Sequence, residues 1–216
     1  MQGNLERVLN LRDHRIQKAD ESFVTKGDLL VQDVVYDFLA KEHPQYRLVS
    51  EEMDNSSYDT ERDGNFAVLD PVDGTENFTS GLPEWGVGVS VFTEWRHDYS
   101  MILLPELGRS LMTGERVRMF ESRIHGVSSS LKLDDLSFVE SGFEYRMMGC
   151  SMYNLYNVVR GSYAMFENVK GVNCWDILPG LNLALEHGLE VEVNGNKYNG
   201  EFLPPIEKYR IKVRVR

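Results

Sequence analysis

Asp70-Pro71-Val72-Asp73-Gly74-Thr75-Glu76-Asn77-Phe78 follows an apolar run, Phe66-Ala67-Val68-Leu69, that reads as a buried strand. Two carboxylates three residues apart, split by proline and followed by glycine and a hydroxyl, make a rigid acidic turn at the strand's C-terminal end. Pro71 fixes the backbone so that both carboxylates and the Val72 carbonyl can converge, and Gly74 lets the chain pass close to a ligand. Oxygen donors in this arrangement suit magnesium better than zinc or copper. The same residues also read as an acidic turn capping a following helix. The alternating Asp/Asn pattern of an EF-hand calcium loop is absent.

Working outward, three further acidic sites lie at the ends of predicted elements. Upstream, Phe23 to Asp28 leads into a helix with an apolar face of Leu30, Val31, Val34, Val35, Phe38 and Leu39, and Thr25 or Asp28 is its cap. Arg47-Leu48-Val49 is a short strand that delivers Ser50-Glu51-Glu52, and the polar stretch from Met53 to Gly64 is a mobile loop. Downstream, Gly86 to Phe92, Tyr99 to Leu104 and Ser110 to Thr113 are successive strands. A helix followed by adjacent strands points to an α+β half rather than a doubly wound sheet. From about Ile124 the elements shorten: Ser137 to Glu140 is a strand candidate, and Met152, Leu155, Tyr156 and Val159 share a helical face. Tyr163 to Glu167 is another strand. Asp176 then opens a helix that holds Pro179 in its first turn. Capping accounts for Asp28 and for Asp176 when each is read alone. The N-terminus, with Leu5, Val8, Leu9 and Leu11, predicts a short amphipathic helix reaching about Ala19.

The 216 residues, 42% hydrophobic, suffice for a substantial core. A formal charge of −11 argues against general affinity for nucleic acid or anionic membranes. No apolar run approaches a membrane span and the first residues lack a secretion signal's hydrophobic core, which predicts a cytoplasmic protein. Cys150 and Cys174 form no Cys-x-x-Cys pair and are expected as reduced, partly buried thiols. The five histidines lack metal-ligand spacing, so zinc catalysis has little support. Asn55-Ser56-Ser57 and Asn77-Phe78-Thr79 match the glycosylation sequon by chance. The alternating basic and apolar residues from Tyr209 to Arg216 predict a terminal strand with one buried face and a basic edge.

Taken together and in order, the four acidic sites resemble those of the inositol monophosphatase family of magnesium-dependent, often lithium-sensitive phosphatases. Val24 to Asp28 is similar to that family's Thr-x-x-Asp segment, and Ser50-Glu51-Glu52 to its Gly-Glu-Glu. Asp70 to Phe78 is similar to Asp-Pro-Ile-Asp-Gly-Thr-x-Asn-Phe, and Asn173 to Gly180 to Trp-Asp-x-Ala-Ala-Gly. The resemblance implies an α+β fold, a layered αβαβα sandwich of the inositol monophosphatase and fructose-1,6-bisphosphatase type. It divides into an N-terminal half (1–123) with most metal ligands and a C-terminal half (124–216) with Asp176 and the substrate contacts, packed as one unit.

By that resemblance, Glu51, Asp70, the Val72 carbonyl, Asp73 and Asp176 hold about two or three magnesium ions. Thr75, hydrogen-bonded toward Asp28, orients the attacking water near Glu51. Asp73, Gly74, Thr75, Gly149, Cys150, Ser151 and Glu167 meet the substrate. A carboxylate at Glu167 would hydrogen-bond hydroxyls and repel a second phosphate. The implied function is hydrolysis of a small phosphomonoester, an inositol phosphate or a related polyol or sugar phosphate, by a homodimer. Fructose-1,6-bisphosphatase activity, a 3'-phosphatase activity on adenosine 3',5'-bisphosphate, and an inactive metal- or phosphate-binding module are the alternatives. The chain departs from the pattern in a short N-terminal region, an abbreviated middle before Gly149, Ser50 in place of glycine, and a Glu167 two residues farther from Trp175-Asp176.

Overall fold

The computed structural model describes residues 4–18, 23–55, 64–132, 135 and 139–216. Helix α1 (Leu5–Leu9) is short, and the chain then forms a hairpin of β1 (Arg15–Gln17) and β2 (Phe23–Thr25) where the sequence predicts continued helix. All three residues of β1 are exposed, so no apolar alternation marks it as strand. Helix α2 (Lys26–Glu42) starts at Thr25, whose Oγ1 accepts from the backbone N–H of Gly27 at 3.0 Å and of Asp28 at 3.3 Å. Asp28 Oδ2 accepts from Thr25 N in return, at 2.9 Å, completing a capping box. Helix α2 is anchored in the core by Val31, with the partly buried Leu30 and Val35 beside it; Val34 and Phe38, expected on the inner face, are exposed.

Next come β3 (Arg47–Ser50), β4 (Phe66–Asp73), α3 (Thr75–Thr79), β5 (Gly86–Thr93), β6 (Arg96–Leu104) and β7 (Arg109–Met112). They form a five-stranded sheet in the order β3-β4-β5-β6-β7, antiparallel except for the β3–β4 pair. Every residue of β4 is buried, because both faces of the sheet are covered. Leu69 and Val72 pack with Val8, Val31, Phe78 and Trp85 on one side, while Phe66 and Val68 join the larger core between the sheets.

The second half comprises β8 (Ile124–Val127), β9 (Glu144–Arg146), α4 (Ser151–Val159), β10 (Met165–Val172), α5 (Cys174–Glu186), β11 (Glu190–Val193), β12 (Asn196–Lys197) and β13 (Tyr209–Arg214). Its six-stranded sheet runs β12-β11-β13-β10-β8-β9. Helices α4 and α5 fill the space between the two sheets, and they approach so closely that a Cβ on Gly180 would lie 2.4 Å from Leu155 Cβ. Helix α5 begins two residues earlier than predicted because Asn173 is its cap, so Pro179 falls beyond the first turn. Ser137 and Phe138 of the predicted strand, most of the Met53 to Gly64 loop, and two residues of the first sequon lie outside the described residues.

The layered α+β sandwich is thus built as helices, sheet, helices, sheet. Strand β13 is central, paired with β10 on one side and β11 on the other, so its basic residues are not the sheet edge that the sequence suggests. Tyr209, Ile211 and Val213 face the core. On the opposite face, among the described residues, Arg214 pairs with Glu190, and Lys212 Nζ lies 3.7 Å from Glu167 Oε2. No helix among the described residues is long and apolar enough to cross a membrane.

Candidate metal and phosphate site

The C-terminal ends of β3 and β4 and the N-terminal turn of α5 bring Glu51, Asp70 and Asp176 together. One carboxylate oxygen from each lies within 4.8 Å of the others. Asp70 Oδ1 accepts from Val72 N at 3.1 Å, whereas Asp70 Oδ2 is buried with no hydrogen-bond partner. Burial, and after it the charges of Glu51, Asp73 and Asp176, hold the Asp70 carboxyl well above the usual carboxylate range. Asp176 is raised by burial and then by Asp73 and Glu51, although its Oδ2 accepts from Asn173 N at 2.8 Å as part of the α5 capping box. Asp176 is therefore both a cap and a member of the cluster. Three convergent carboxylates and an orphaned buried oxygen fit a hard divalent cation, which such donors bind.

Asp73 stands at the end of β4, where pairing with β5 is irregular between Asp70 and Asp73. Its Oδ2 accepts from the Cys150 thiol at 3.0 Å and from the backbone N–H of Met152. Burial pushes Asp73 up to about 6 against those hydrogen bonds. The thiol of Cys150 is raised by burial and by Asp73, and both cysteines are free and buried. Gly74, at φ 85°, is required twice over: its backbone is left-handed, and a Cβ there would sit 2.9 Å from Cys150 Cβ.

Thr75 and Asp28 are placed differently from the expectation. The Thr75 hydroxyl donates to the Val72 carbonyl at 3.1 Å, while Asp28 Oδ2 is taken by its own cap, with Thr25 Oγ1 at 2.5 Å. The capping box saturates that oxygen locally. Asp28 Oδ1 stays buried without a partner, and burial raises the carboxyl to about 6.

Beside the cluster lies a cleft of about 240 Å³, lined by Asp73, Gly149, Cys150, Ser151 and Asp176 together with Ser128, Ser129, Ser130, Asn154 and Asn168. Glu167 is not among its lining residues. Strand alternation on β10 turns Phe166 and Asn168 inward and sends Glu167 to the outer sheet face, where it meets Lys212. The expected role of Glu167 at the substrate therefore has no support in its position.

The sequence reading also passed over residues that belong here. Lys18 Nζ donates to Glu51 Oε1 at 3.0 Å and to Glu52 Oε1 at 2.7 Å, from a hairpin that no pattern announced. Asn77 Nδ2 donates to the carbonyls of Glu84 at 2.7 Å and Met148 at 2.6 Å, tying α3 to the turn at Gly149. The run Ser128 to Ser130 was visible as a polar cluster at the end of a strand.

With this geometry in view, the chain can be assigned to a class: the sequence model of the inositol monophosphatase family matches residues 2–144, and the chain belongs to that family of phosphatases. Among its relatives, Nus factor SuhB of Escherichia coli strain K12 is 26% identical over 198 residues, covering 80% of this chain and 72% of that protein. Staphylococcal inositol monophosphatase-1, solved after a lithium chloride soak, superposes with a TM-score of 0.82 at 17% identity, over 99% of this chain and 84% of that one. An IMPase/NADP phosphatase complexed with Mg2+ and phosphate gives a TM-score of 0.79 at 18% identity, over 98% of this chain and 87% of that one. At these identities the structural likenesses establish the fold alone.

Proposed function

We propose that the protein hydrolyses a small phosphomonoester, a polyol or sugar phosphate, with magnesium held by Glu51, Asp70, Asp176 and the Val72 carbonyl. The observation that carries this reading is the orphaned, buried Asp70 Oδ2 between the partly buried carboxylates of Glu51 and Asp176. A phosphate dianion would be repelled by that cluster unless divalent cations lay between them. When bound, magnesium would neutralise the phosphate, lower the pKa of a bound water and stabilise the leaving alkoxide.

The chain's own groups divide the remaining work. Cys150 and Met152 hold Asp73 through Oδ2, which leaves Oδ1 as the oxygen available to a metal or the substrate. Thr75 donates its only hydroxyl proton to Val72, which keeps its lone pairs for a proton of the attacking water. Asp28 Oδ1 is the buried acceptor that feels the Glu51 charge and serves the same water. Gly149, Cys150 and Ser151 form the turn against which the substrate's other end rests. The halves 1–123 and 124–216 act as one unit in this proposal, since neither holds the full ligand set.

A second reading, an interaction protein without turnover, is favoured by one observation: a relative with 26% identity carries the name Nus factor. Turnover of glycerol 2-phosphate with and without magnesium separates the two. Magnesium-dependent release of phosphate is the expected result. A folded protein that binds magnesium and phosphate but releases nothing would leave the interaction reading in place.

A further inference from the structure

Among the described residues, no charged side chain lines the cleft apart from Asp73 and Asp176; the rest of its side-chain amide and hydroxyl lining is serine and asparagine. Two of those groups are incompletely satisfied. Asn168 is 4% exposed, and its Oδ1 accepts from the backbone N–H groups of Lys170 and Gly171, both at 3.1 Å. Its Nδ2 has no protein partner among the described residues. Asn154 is 2% exposed, and it donates from Nδ2 to the Cys150 carbonyl at 2.7 Å. Its Oδ1 is buried with no partner. Asn154 Oδ1 is thus a sealed, unmet acceptor, whereas Asn168 Nδ2 is an unmatched donor that keeps access to solvent and can be met by a ligand or a water.

The orientation of Asn168 is fixed rather than chosen by the ligand. The two N–H groups, from the residues two and three places on, clamp Oδ1, and the clamp lies where pairing of β10 with β13 shifts between Asn168 and Val172. A flipped amide would set Nδ2 against two donors, so Nδ2 must be the free end.

We infer that Asn168 is a specificity-determining residue for the substrate's non-reacting end, and that its amide donor admits acidic as well as hydroxylated phosphomonoesters. This rests on the phosphomonoesterase reading above. A carboxylate at this point would accept from hydroxyls but repel a carboxylate or second phosphate. With Glu167 turned to the outer face beside Lys212, the only carboxylates among the cleft's described lining residues are Asp73 and Asp176, which the proposed function places with the metal and the phosphate. The substrate class therefore widens to phosphorylated polyols and their acids.

The substitution Asn168→Asp tests this with little disturbance, because aspartate keeps the oxygen that accepts from Lys170 and Gly171 and replaces only Nδ2. The matched probes are glycerol 2-phosphate and 2-phosphoglycerate, which differ by one hydroxymethyl against one carboxylate. In the native protein with magnesium, their kcat/KM values are expected within about tenfold of each other, and Asn168→Asp should lower that for 2-phosphoglycerate at least ~10-fold further, mainly through KM. Asn168→Ser removes the donor without adding charge and should weaken both alike; it carries the test if the charged variant does not fold. Glu167→Gln should leave the ratio unmoved. A ratio unchanged by Asn168→Asp, or one shifted by Glu167→Gln, overturns the inference. Dissociation constants for both probes, measured calorimetrically with calcium in place of magnesium, keep the two proposals apart. If the binding ratio shifts in Asn168→Asp while the native protein shows no turnover, hydrolysis is lost and this inference stands; if neither probe binds the native protein, both fall.

Discussion

Two acidic regions of this molecule solve the same electrostatic problem in opposite ways. On the outer face of the six-stranded sheet, carboxylates meet cations across strands: Glu190 faces Arg214, and Glu167 and Glu192 both face Lys212. At the ends of β3, β4 and α5, Glu51, Asp70, Asp73 and Asp176 crowd together, and Lys18, on Glu51, is the only ammonium hydrogen-bonded to any of them among the described residues. Asp70 is also fully buried and Asp176 partly so, and burial raises both carboxyls, whereas Glu190 keeps 41% of its side chain in solvent. A carboxylate whose charge is answered by its neighbours contributes to the fold. One left unanswered in the interior is there for something the chain itself does not supply.

The sharpest way to break this contrast is to remove a charge from the crowded end. Asp70→Asn and Asp176→Asn should each reduce magnesium-dependent hydrolysis by more than ~100-fold, beyond the usual loss for a residue that only supports a ligand. Asparagine keeps an oxygen for the Asn173 cap, so the α5 start should survive in Asp176→Asn. In chelator, both variants should melt no lower than the native protein, because a repelled buried charge has gone. Magnesium at 100 times its dissociation constant should stabilise the native protein by about 2.7 kcal/mol and the variants by far less. Collapse of circular dichroism in both would make these residues caps and nothing more.

A narrower effect, on turnover but not on metal binding, is expected at Thr75, which touches the cluster only through the Val72 carbonyl. Thr75→Ala should lower kcat by roughly two to four orders of magnitude, the scale of a lost proton-transfer group. The magnesium-induced shift in melting temperature should be nearly kept. An unchanged kcat would take Thr75 out of the water's path.

The same contrast explains what the sequence disclosed. The acidic turn at Asp70 to Phe78 was legible because proline, glycine and paired carboxylates leave few alternatives, and the alternation in β13 was legible because Tyr209, Ile211 and Val213 are all buried. The hairpin that carries Lys18 was hidden, since its first strand buries nothing. Central placement of β13 was hidden for another reason: alternation states which face is buried and says nothing about how many neighbours a strand has. The placement of Glu167 on the outer face was hidden as well. Alternation along β10 puts Glu167 on the face opposite Phe166 and Asn168, and which of those faces meets the cleft is set by packing that composition does not disclose.

The smallest effect should come from the satisfied region. Lys212 lies opposite Glu167 and Glu192, its side chain is 33% exposed, and its nearest carboxylate contact is 3.7 Å. Pairs with that much solvent contribute about 0–1 kcal/mol, because water already screens both charges and holding two long side chains costs entropy. Lys212→Met keeps the unbranched stem over the sheet and removes only the ammonium, so the loss should be about 0.5 kcal/mol in denaturant unfolding. The activity with glycerol 2-phosphate should stay within about twofold of native, as for a surface change remote from the site. A tenfold fall in kcat/KM without loss of stability would mean that Glu167, once released from Lys212, perturbs the cleft from the far side of the sheet. The two acidic regions would then be one electrostatic system, and the distinction between answered and unanswered carboxylates would fail.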